Sequence, residues 1–71
     1  MSDLIDTFSH RLSSAILIRN IKPAEISKKT GITRSKLSSY MSGRYEARQD
    51  GVFLLSKALN VNPSWLLGYD V

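Results

Sequence analysis

PAEISKKTGITRSKLSSYMSG, residues 23 to 43, is the stretch that decides the fold of this chain. Its first half predicts a short helix that begins at Pro23, because the missing N–H of proline has no intrahelical partner at the first helical position. Glu25 then places a negative charge near the positive end of the helix dipole. Gly31 supplies a left-handed stop. Ile26 is the large apolar side chain of this helix, so the helix must pack on its neighbours through that residue.

The second half of the stretch predicts another helix, Arg34 to Ser42, for which Thr33 is a suitable N-cap. Three side chains recur at helical spacing and form an inward stripe: Leu37, Tyr40 and Met41. Five other positions form an outward face of hydroxyls and a basic side chain: Arg34, Ser35, Ser38, Ser39 and Ser42. Such a face cannot drive packing. A helix of this length fits the major groove of DNA, which is about 12 Å wide.

The N-terminal segment, Asp3 to about Asn20, has an amphipathic pattern that predicts a third helix. Leu17 and Ile18 lie outside its apolar stripe, so this helix has either a wide buried face or an exposed apolar surface. His10 is expected to be a solvent-facing or edge residue, since the chain has no second histidine and no cysteine to complete a metal site.

Two more helices follow a charged loop that we place at Arg44 to Asp50. Asp50 is the expected N-cap of a helix from Gly51 to Leu59. Asn62 and Pro63 then open a short helix that closes at Gly68, with Trp65 as an expected core residue. Five short helices without a strand pattern or an internal repeat predict an all-α domain.

The central stretch resembles the helix-turn-helix of the lambdoid phage repressor and Cro family. The apolar and glycine positions of that motif match Ile26, Gly31, Ile32, Leu37 and Tyr40. The tail LLSKALNVNPSWLLG resembles the fourth and fifth helices of the same domains, so the resemblance covers most of the chain. It implies a compact five-helix, lambda-repressor-like domain over residues 1–71, which is either complete or the N-terminal domain of a longer repressor.

The positive charge of the chain is concentrated around this motif. The net charge is +4, but residues 11 to 48 contain nine basic and two acidic side chains, a local net charge of +7. A basic surface of this kind suits phosphates, although it is also compatible with a merely solvated surface.

The resemblance implies which residues contact double-stranded DNA. The residues expected to contact base edges are Arg34, Ser35, Ser38 and Ser39. Thr33 and Lys36 are expected to contact either a base or a phosphate. The expected phosphate contacts are Lys22, the N–H of Ala24, Ser42, Arg44, Tyr45 and Arg48. For the loop the alternative is that its arginines pair with Glu46 or Asp50.

Two residues depart from the family pattern. Pro23 replaces a glutamine that contacts phosphate in many members, which is why the backbone contact is expected from Lys22 or Ala24. Ser27 replaces a small alanine at the helix crossing and adds a hydroxyl in a tight place. Both departures bear on phosphate positioning rather than on the fold.

The family resemblance further implies a transcriptional regulator, most similar to a phage repressor, that binds palindromic operators. It implies a weak homodimer that forms on DNA or through a C-terminal domain, and a location in the bacterial cytoplasm at the nucleoid. The alternative function is a protein-binding module, antitoxin-like or adaptor, on the same scaffold.

Other functional classes find little support in the sequence. We expect no enzyme, cofactor, metal or small-molecule substrate, because the single histidine and scattered acidic residues form no catalytic constellation. The longest apolar runs, Ala15–Ile18 and Val52–Leu55, predict neither a membrane span nor a secretory signal.

Overall fold

The structure is a computed structural model that describes residues 3–71. Five helices occupy this range: α1 (Phe8–Arg19), α2 (Pro23–Thr30), α3 (Arg34–Met41), α4 (Gln49–Leu59) and α5 (Pro63–Leu66). The extended pairing found among these residues is one antiparallel bridge between Leu4 and Tyr69. The prediction of an all-α domain of five short helices is confirmed. Within the same range, no helix combines the length and the apolar character that crossing a membrane requires.

The core lies where all five helices meet. Its fully buried side chains are Leu12, Ile26, Leu37, Leu55, Leu59 and Leu66. Ile26 is the buried residue of α2, as its sequence predicts. Phe8 of α1 meets Tyr40 of α3 edge to face, with ring centroids 5.9 Å apart. α1 and α2 both pack on α3, so α3 is held to the core along one side.

The start of α1 differs from the sequence prediction. The helix begins at Phe8 rather than Asp3, and Thr7 is its N-cap, because the Thr7 hydroxyl accepts a hydrogen bond from the His10 N–H at 3.2 Å. Leu4 and Ile5 are therefore exposed instead of lying in the helical stripe. Leu17 and Ile18 are also exposed, so α1 has an apolar surface rather than a wide buried face.

The residues before α1 pair with the residues after α5 and form a terminal clip, residues 3–6 with 68–70. The Gly68 carbonyl accepts hydrogen bonds from the N–H groups of Ile5 at 2.9 Å and Asp6 at 3.1 Å. The Asp3 carbonyl accepts from the Asp70 N–H at 2.7 Å. These bonds explain why the chain is extended before Phe8, since they use backbone groups that a longer α1 would need for itself.

Asp6 joins this clip to α1 and α5. Its carboxylate accepts from the Thr7 N–H at 2.8 Å and from Arg11 Nε at 3.0 Å, and it contacts His10 Nδ1 at 2.8 Å. Arg11 is buried, donates to the Trp65 carbonyl at 3.2 Å and stacks over the Trp65 ring at 4.6 Å. Trp65 packs against the core as predicted, but its side chain is only half-buried and lies under the Arg11 guanidinium. The hydrogen bonds from His10 and from the Thr7 N–H lower the pKa of Asp6 to about 2.

The boundaries of α3 and α4 differ slightly from prediction. α3 ends at Met41, and Ser42 is its C-cap. α4 begins at Gln49 because Arg48, not Asp50, occupies the N-cap position, where the Arg48 carbonyl accepts from the Val52 N–H at 2.9 Å. Asp50 instead lies in the first turn, where its carboxylate accepts a hydrogen bond from the Gly51 N–H. Its negative charge also interacts favourably with the positive end of the helix dipole. The predicted start of α5, with the Asn62 side chain accepting from the Ser64 N–H, is confirmed.

Gly68→Ala should open the terminal clip. Gly68 has φ +105° and a Cβ there would clash with the Asp6 carbonyl oxygen, so both the backbone conformation and the lack of space oppose a side chain. Gly31→Ala is the matched control, since Gly31 has φ +78° but open space around its Cβ direction. We expect Gly31→Ala to lower the free energy of unfolding by about 1–2 kcal/mol, and Gly68→Ala to lower it clearly more. Urea unfolding followed by Trp65 fluorescence measures both, and equal losses would contradict the clip.

Asp6 should make the free energy of unfolding depend on pH under acidic conditions. Its folded pKa of about 2 lies below the value of 3.8 for a free carboxyl, so its stabilising effect is present above about pH 4 and disappears as the pH falls toward about 2. Asp6→Asn should remove this part of the acid dependence. The urea midpoint measured at several pH values between about 2 and 5 tests this, and identical pH profiles for the two proteins would show that Asp6 is not the responsible group.

Candidate nucleic-acid interface

The turn between α2 and α3 is fixed by three elements. Gly31 adopts φ 78° and its N–H donates to the Ser27 carbonyl at 2.9 Å, which ends α2. The Thr30 hydroxyl donates to the Ile26 carbonyl at 2.8 Å and accepts from the Ile32 N–H at 3.1 Å. The Ser27 hydroxyl donates to the Ile32 carbonyl. The added hydroxyl of Ser27 is therefore accommodated by a hydrogen bond that holds the turn.

α3 starts directly after this turn. Thr33 is its N-cap as predicted, with the Thr33 hydroxyl accepting from the Lys36 N–H at 3.1 Å. Because the Thr33 hydroxyl already accepts this hydrogen bond, it has less capacity left to contact DNA. Arg34 and Ser35 follow in the first turn, and both are exposed. The orientation of α3 relative to α2 is thus set by backbone and hydroxyl contacts on the two sides of Gly31.

The outward face of α3 is polar along its length. Leu37 and Tyr40 are buried, whereas Arg34, Ser35, Lys36, Ser38 and Ser42 are exposed. Ser39 is half-buried, and its hydroxyl donates to the Ser35 carbonyl at 3.2 Å. Of the four predicted base-reading residues, Arg34, Ser35 and Ser38 therefore lie on open surface, while Ser39 lies at its edge.

The Ser39 carbonyl group anchors the loop after α3 through three hydrogen bonds. The Ser39 carbonyl accepts from the Ser42 hydroxyl at 3.0 Å, from the Arg44 N–H at 3.0 Å and from the Tyr45 N–H at 3.4 Å. The Ser42 hydroxyl is therefore exposed and also hydrogen-bonded within the protein. The Arg44 and Tyr45 side chains are exposed beside the end of α3.

An open cavity of about 710 Å³ joins the start of α3 to this loop. Four of the predicted contact residues line it together: Thr33, Lys36, Tyr45 and Arg48. Glu46 and Asp50 line it as well, so its charge is mixed. The fold thus brings Thr33 and Lys36 next to Tyr45 and Arg48. We use the name α3 surface for these residues together with the other predicted contact residues of α3 and its loop: Arg34, Ser35, Ser38, Ser39, Ser42 and Arg44.

Lys22 and Ala24 lie at the start of α2. Lys22 is the N-cap and is exposed, and its side chain makes no capping hydrogen bond. The Lys22 carbonyl accepts hydrogen bonds from the N–H groups of Glu25 and Ile26. The first N–H of α2 belongs to Ala24, which precedes both of these residues. A free N–H at a helix start beside a lysine suits an anion. Their predicted role as phosphate contacts is compatible with these positions.

The ion pairs do not involve the predicted DNA contacts. Within residues 3–71 they join Asp6 to His10 and to Arg11, and Glu25 to Lys29 at 4.0 Å. The arginines of the loop are not paired with Glu46 or Asp50, so that alternative is not observed. Arg11, counted above in the basic segment, is buried against Asp6 and Trp65 and adds no charge to the α3 surface.

Sequence reasoning missed the hydroxyls that fix the turn. The sequence indicates a Ser27 hydroxyl at the helix crossing but not its hydrogen bond, and it assigns no role to Thr30, although hydroxyl residues near the end of a helix often bond to the local backbone. Their bonds to the Ile26 and Ile32 carbonyls become visible only in the structure. No group of three or more metal-ligating side chains occurs in the described part of the chain.

Comparison with known proteins supports this reading of the fold. A family model described as helix-turn-helix matches residues 15–66. Among solved structures, the chain is similar to the P22 c2 repressor protein, which was crystallised in complex with the synthetic operator 9T in the presence of Tl⁺. The TM-score is 0.80 at 24% sequence identity, and the match covers 87% of this chain and 94% of that chain. No curated protein matches the chain.

Proposed function

The chain belongs to the helix-turn-helix family, and we propose that it is a sequence-specific double-stranded DNA-binding protein of the phage-repressor type. We assign residues 1–71 to one DNA-binding domain, whose α3 enters the major groove. We assign it no catalytic reaction, cofactor or small-molecule substrate. Since a regulator of this type acts on bacterial DNA, we also propose a location at the nucleoid of a bacterial cell.

The observation that carries the proposal is the contrast between the two sides of α3. Leu37 and Tyr40 hold one side in the core, while the other side presents a guanidinium, an ammonium and serine hydroxyls to solvent. A helix face without apolar residues is poorly suited to a protein partner, whose contacts need apolar anchors. It is well suited to base edges and phosphates, which offer hydrogen-bond groups and negative charge.

Arg34 is the residue that we assign to base reading first. It is exposed in the first turn of α3, the part of the recognition helix that contacts base edges in this docking geometry. Its planar guanidinium can donate two hydrogen bonds to guanine O6 and N7. Ser35 and Ser38 flank it on the exposed face, and their hydroxyls can donate or accept. Ser39 contributes from the edge of that face.

Phosphate contacts are assigned to residues on both sides of α3. Arg44, Tyr45 and Arg48 follow it, and Lys22 and the Ala24 N–H precede it at the start of α2. Lys36, Thr33 and Ser42 lie between these two groups. Such contacts fix the orientation of the protein on the duplex without carrying sequence information. The likeness to the P22 c2 repressor, crystallised with an operator, supports this docking.

We further propose that two copies bind a palindromic operator with half-sites about one helical turn apart, and that the free chain is at most a weak dimer. Its fold resembles a DNA-bound repressor domain, and helix-turn-helix proteins read two half-sites through two symmetric copies.

Arg34→Lys should separate base reading from charge. Lysine retains the positive charge but lacks the planar fork, so it cannot reproduce a bidentate contact. We expect discrimination at one base pair to fall by about 1–3 kcal/mol, with affinity for random DNA nearly unchanged. Fluorescence anisotropy on the preferred duplex, on single-base variants and on random DNA measures this. Equal losses on every duplex would argue that Arg34 only contacts phosphate.

Arg48→Ala should weaken binding to all sequences. Removal of one phosphate contact releases one counterion fewer, so the slope of log affinity against log salt should become shallower by about one. Lys57→Ala removes the same charge outside the α3 surface and serves as the control, with an expected slope close to that of the unchanged protein. Titrations of random duplex at several salt concentrations provide the slopes, and similar slopes for both variants would remove Arg48 from the interface.

A further inference from the structure

Both backbone polar groups of Ile32, in the turn between α2 and α3, are hydrogen-bonded to side chains of α2. The Thr30 hydroxyl accepts from the Ile32 N–H at 3.1 Å, and the Ser27 hydroxyl donates to the Ile32 carbonyl. The Ile32 side chain packs against the core. We call this arrangement the Ile32 clamp. It holds the chain two residues before Arg34, where α3 begins.

We propose that the hydroxyls of Ser27 and Thr30 are positioning groups that determine how well the protein discriminates between DNA sequences, although neither contacts DNA. This inference rests on the proposed DNA-binding function and names residues that act through α3 rather than on the duplex. Ser27 and Thr30 lie three residues apart on α2, so they share one face of that helix. Both side chains are half-buried, and both are used by the turn.

The Ile32 clamp is anchored in the core through α2. Besides binding the Ile32 N–H, the Thr30 hydroxyl donates to the Ile26 carbonyl at 2.8 Å. The Ile26 side chain is fully buried. The turn is therefore tied to the buried part of α2, so the clamp fixes the direction of α3 relative to the core.

A small change in the direction of α3 displaces its far end. The 8 residues of α3, at a rise of about 1.5 Å each, give a length of about 12 Å. A rotation of about 10° at the turn therefore moves the last residue by about 2 Å. Hydrogen bonds to base edges tolerate less than this, because N–H···O donor–acceptor distances lie between about 2.7 and 3.2 Å.

Serine side chains make the base contacts sensitive to such a displacement. Ser35 and Ser38 are assigned to base reading, and a serine hydroxyl has no flexible stem with which to follow a base edge. Lysine and arginine have long, flexible side chains, so phosphate contacts from Lys22 or Arg44 can adjust. Loss of the clamp should therefore reduce discrimination between sequences more than affinity for random DNA.

Ser27→Ala tests the proposal, with Ser56→Ala as the matched control. The Ser56 hydroxyl donates to the Phe53 carbonyl at 2.8 Å within α4, so the control also removes a side-chain hydrogen bond to the backbone, but away from the turn. The ratio of affinities for the preferred duplex and for random DNA measures discrimination. We expect Ser27→Ala to lower this ratio about tenfold, equivalent to about 1.4 kcal/mol, and Ser56→Ala to leave it unchanged. Ser27→Thr keeps the hydroxyl and should retain most of the discrimination.

Salt dependence on random DNA separates positioning from the loss of a phosphate contact. None of these substitutions changes a charge, so the slope of log affinity against log salt should be the same for the variants and the unchanged protein. A shallower slope for Ser27→Ala would overturn the proposal, because the residue would then support a phosphate contact. An unchanged ratio in Ser27→Ala, or an equal fall in Ser56→Ala, would overturn it as well.

Amide hydrogen exchange tests the clamp in the free protein. Thr30→Val has a similar shape but no hydroxyl, so the Ile32 N–H should exchange faster in this variant than in the unchanged protein. The Gly31 N–H, which donates to the Ser27 carbonyl, should keep its rate. Equal rates for the Ile32 N–H in the two proteins would overturn the clamp. If the unchanged protein prefers no sequence, the proposed function itself fails, and the Ile32 rates distinguish that failure from absence of the clamp.

Discussion

Burial of one side of α3 is the constraint on which the rest of the structure depends. Leu37 has no exposed surface and Tyr40 meets Phe8 edge to face, so α3 can rotate very little about its own axis. Because apolar positions occupy only that side, the opposite side is left as an exposed row of hydroxyls and positive charges. A single packing requirement thus holds the helix in the fold and decides which residues face outward.

The surroundings of α3 then fix its direction. The hydroxyls of Ser27 and Thr30 bond to the carbonyls of Ile32 and Ile26, so the turn before α3 has few alternative conformations. After α3, the Ser39 carbonyl accepts the N–H groups of Arg44 and Tyr45. Because α3 is held at both ends, it would need little reorganisation to bind DNA in the proposed way, and this lowers the entropic cost of docking. The terminal clip and the Asp6–Arg11–Trp65 contacts join the two ends of the chain beside α1 and α5.

Much of this could be predicted from sequence because the signals are local. Pro23, Gly31, Thr33 and Asn62 mark helix ends by their own backbone and capping chemistry, and the structure has them in those roles. The start of α1 could not be predicted, because it depends on the pairing of residues 3–6 with residues 68–70, which are distant in sequence. Arg11 counted as surface charge in the sequence and proved to be buried, since its partners Asp6 and Trp65 are identified only by the fold. The bonds of the loop to the Ser39 carbonyl are likewise identified only by the fold.

The most direct test of the central claim is a selection from random duplex DNA at near-physiological salt, followed by sequencing of the retained fraction. Since α3 presents Arg34 and serine hydroxyls on a face without apolar residues, we predict enrichment of a defined motif, in two inverted copies separated by about one helical turn. If no motif is enriched and retention disappears with a modest increase in salt, the α3 surface binds DNA only through non-specific charge. That result would contradict the assignment of α3 as a reading helix.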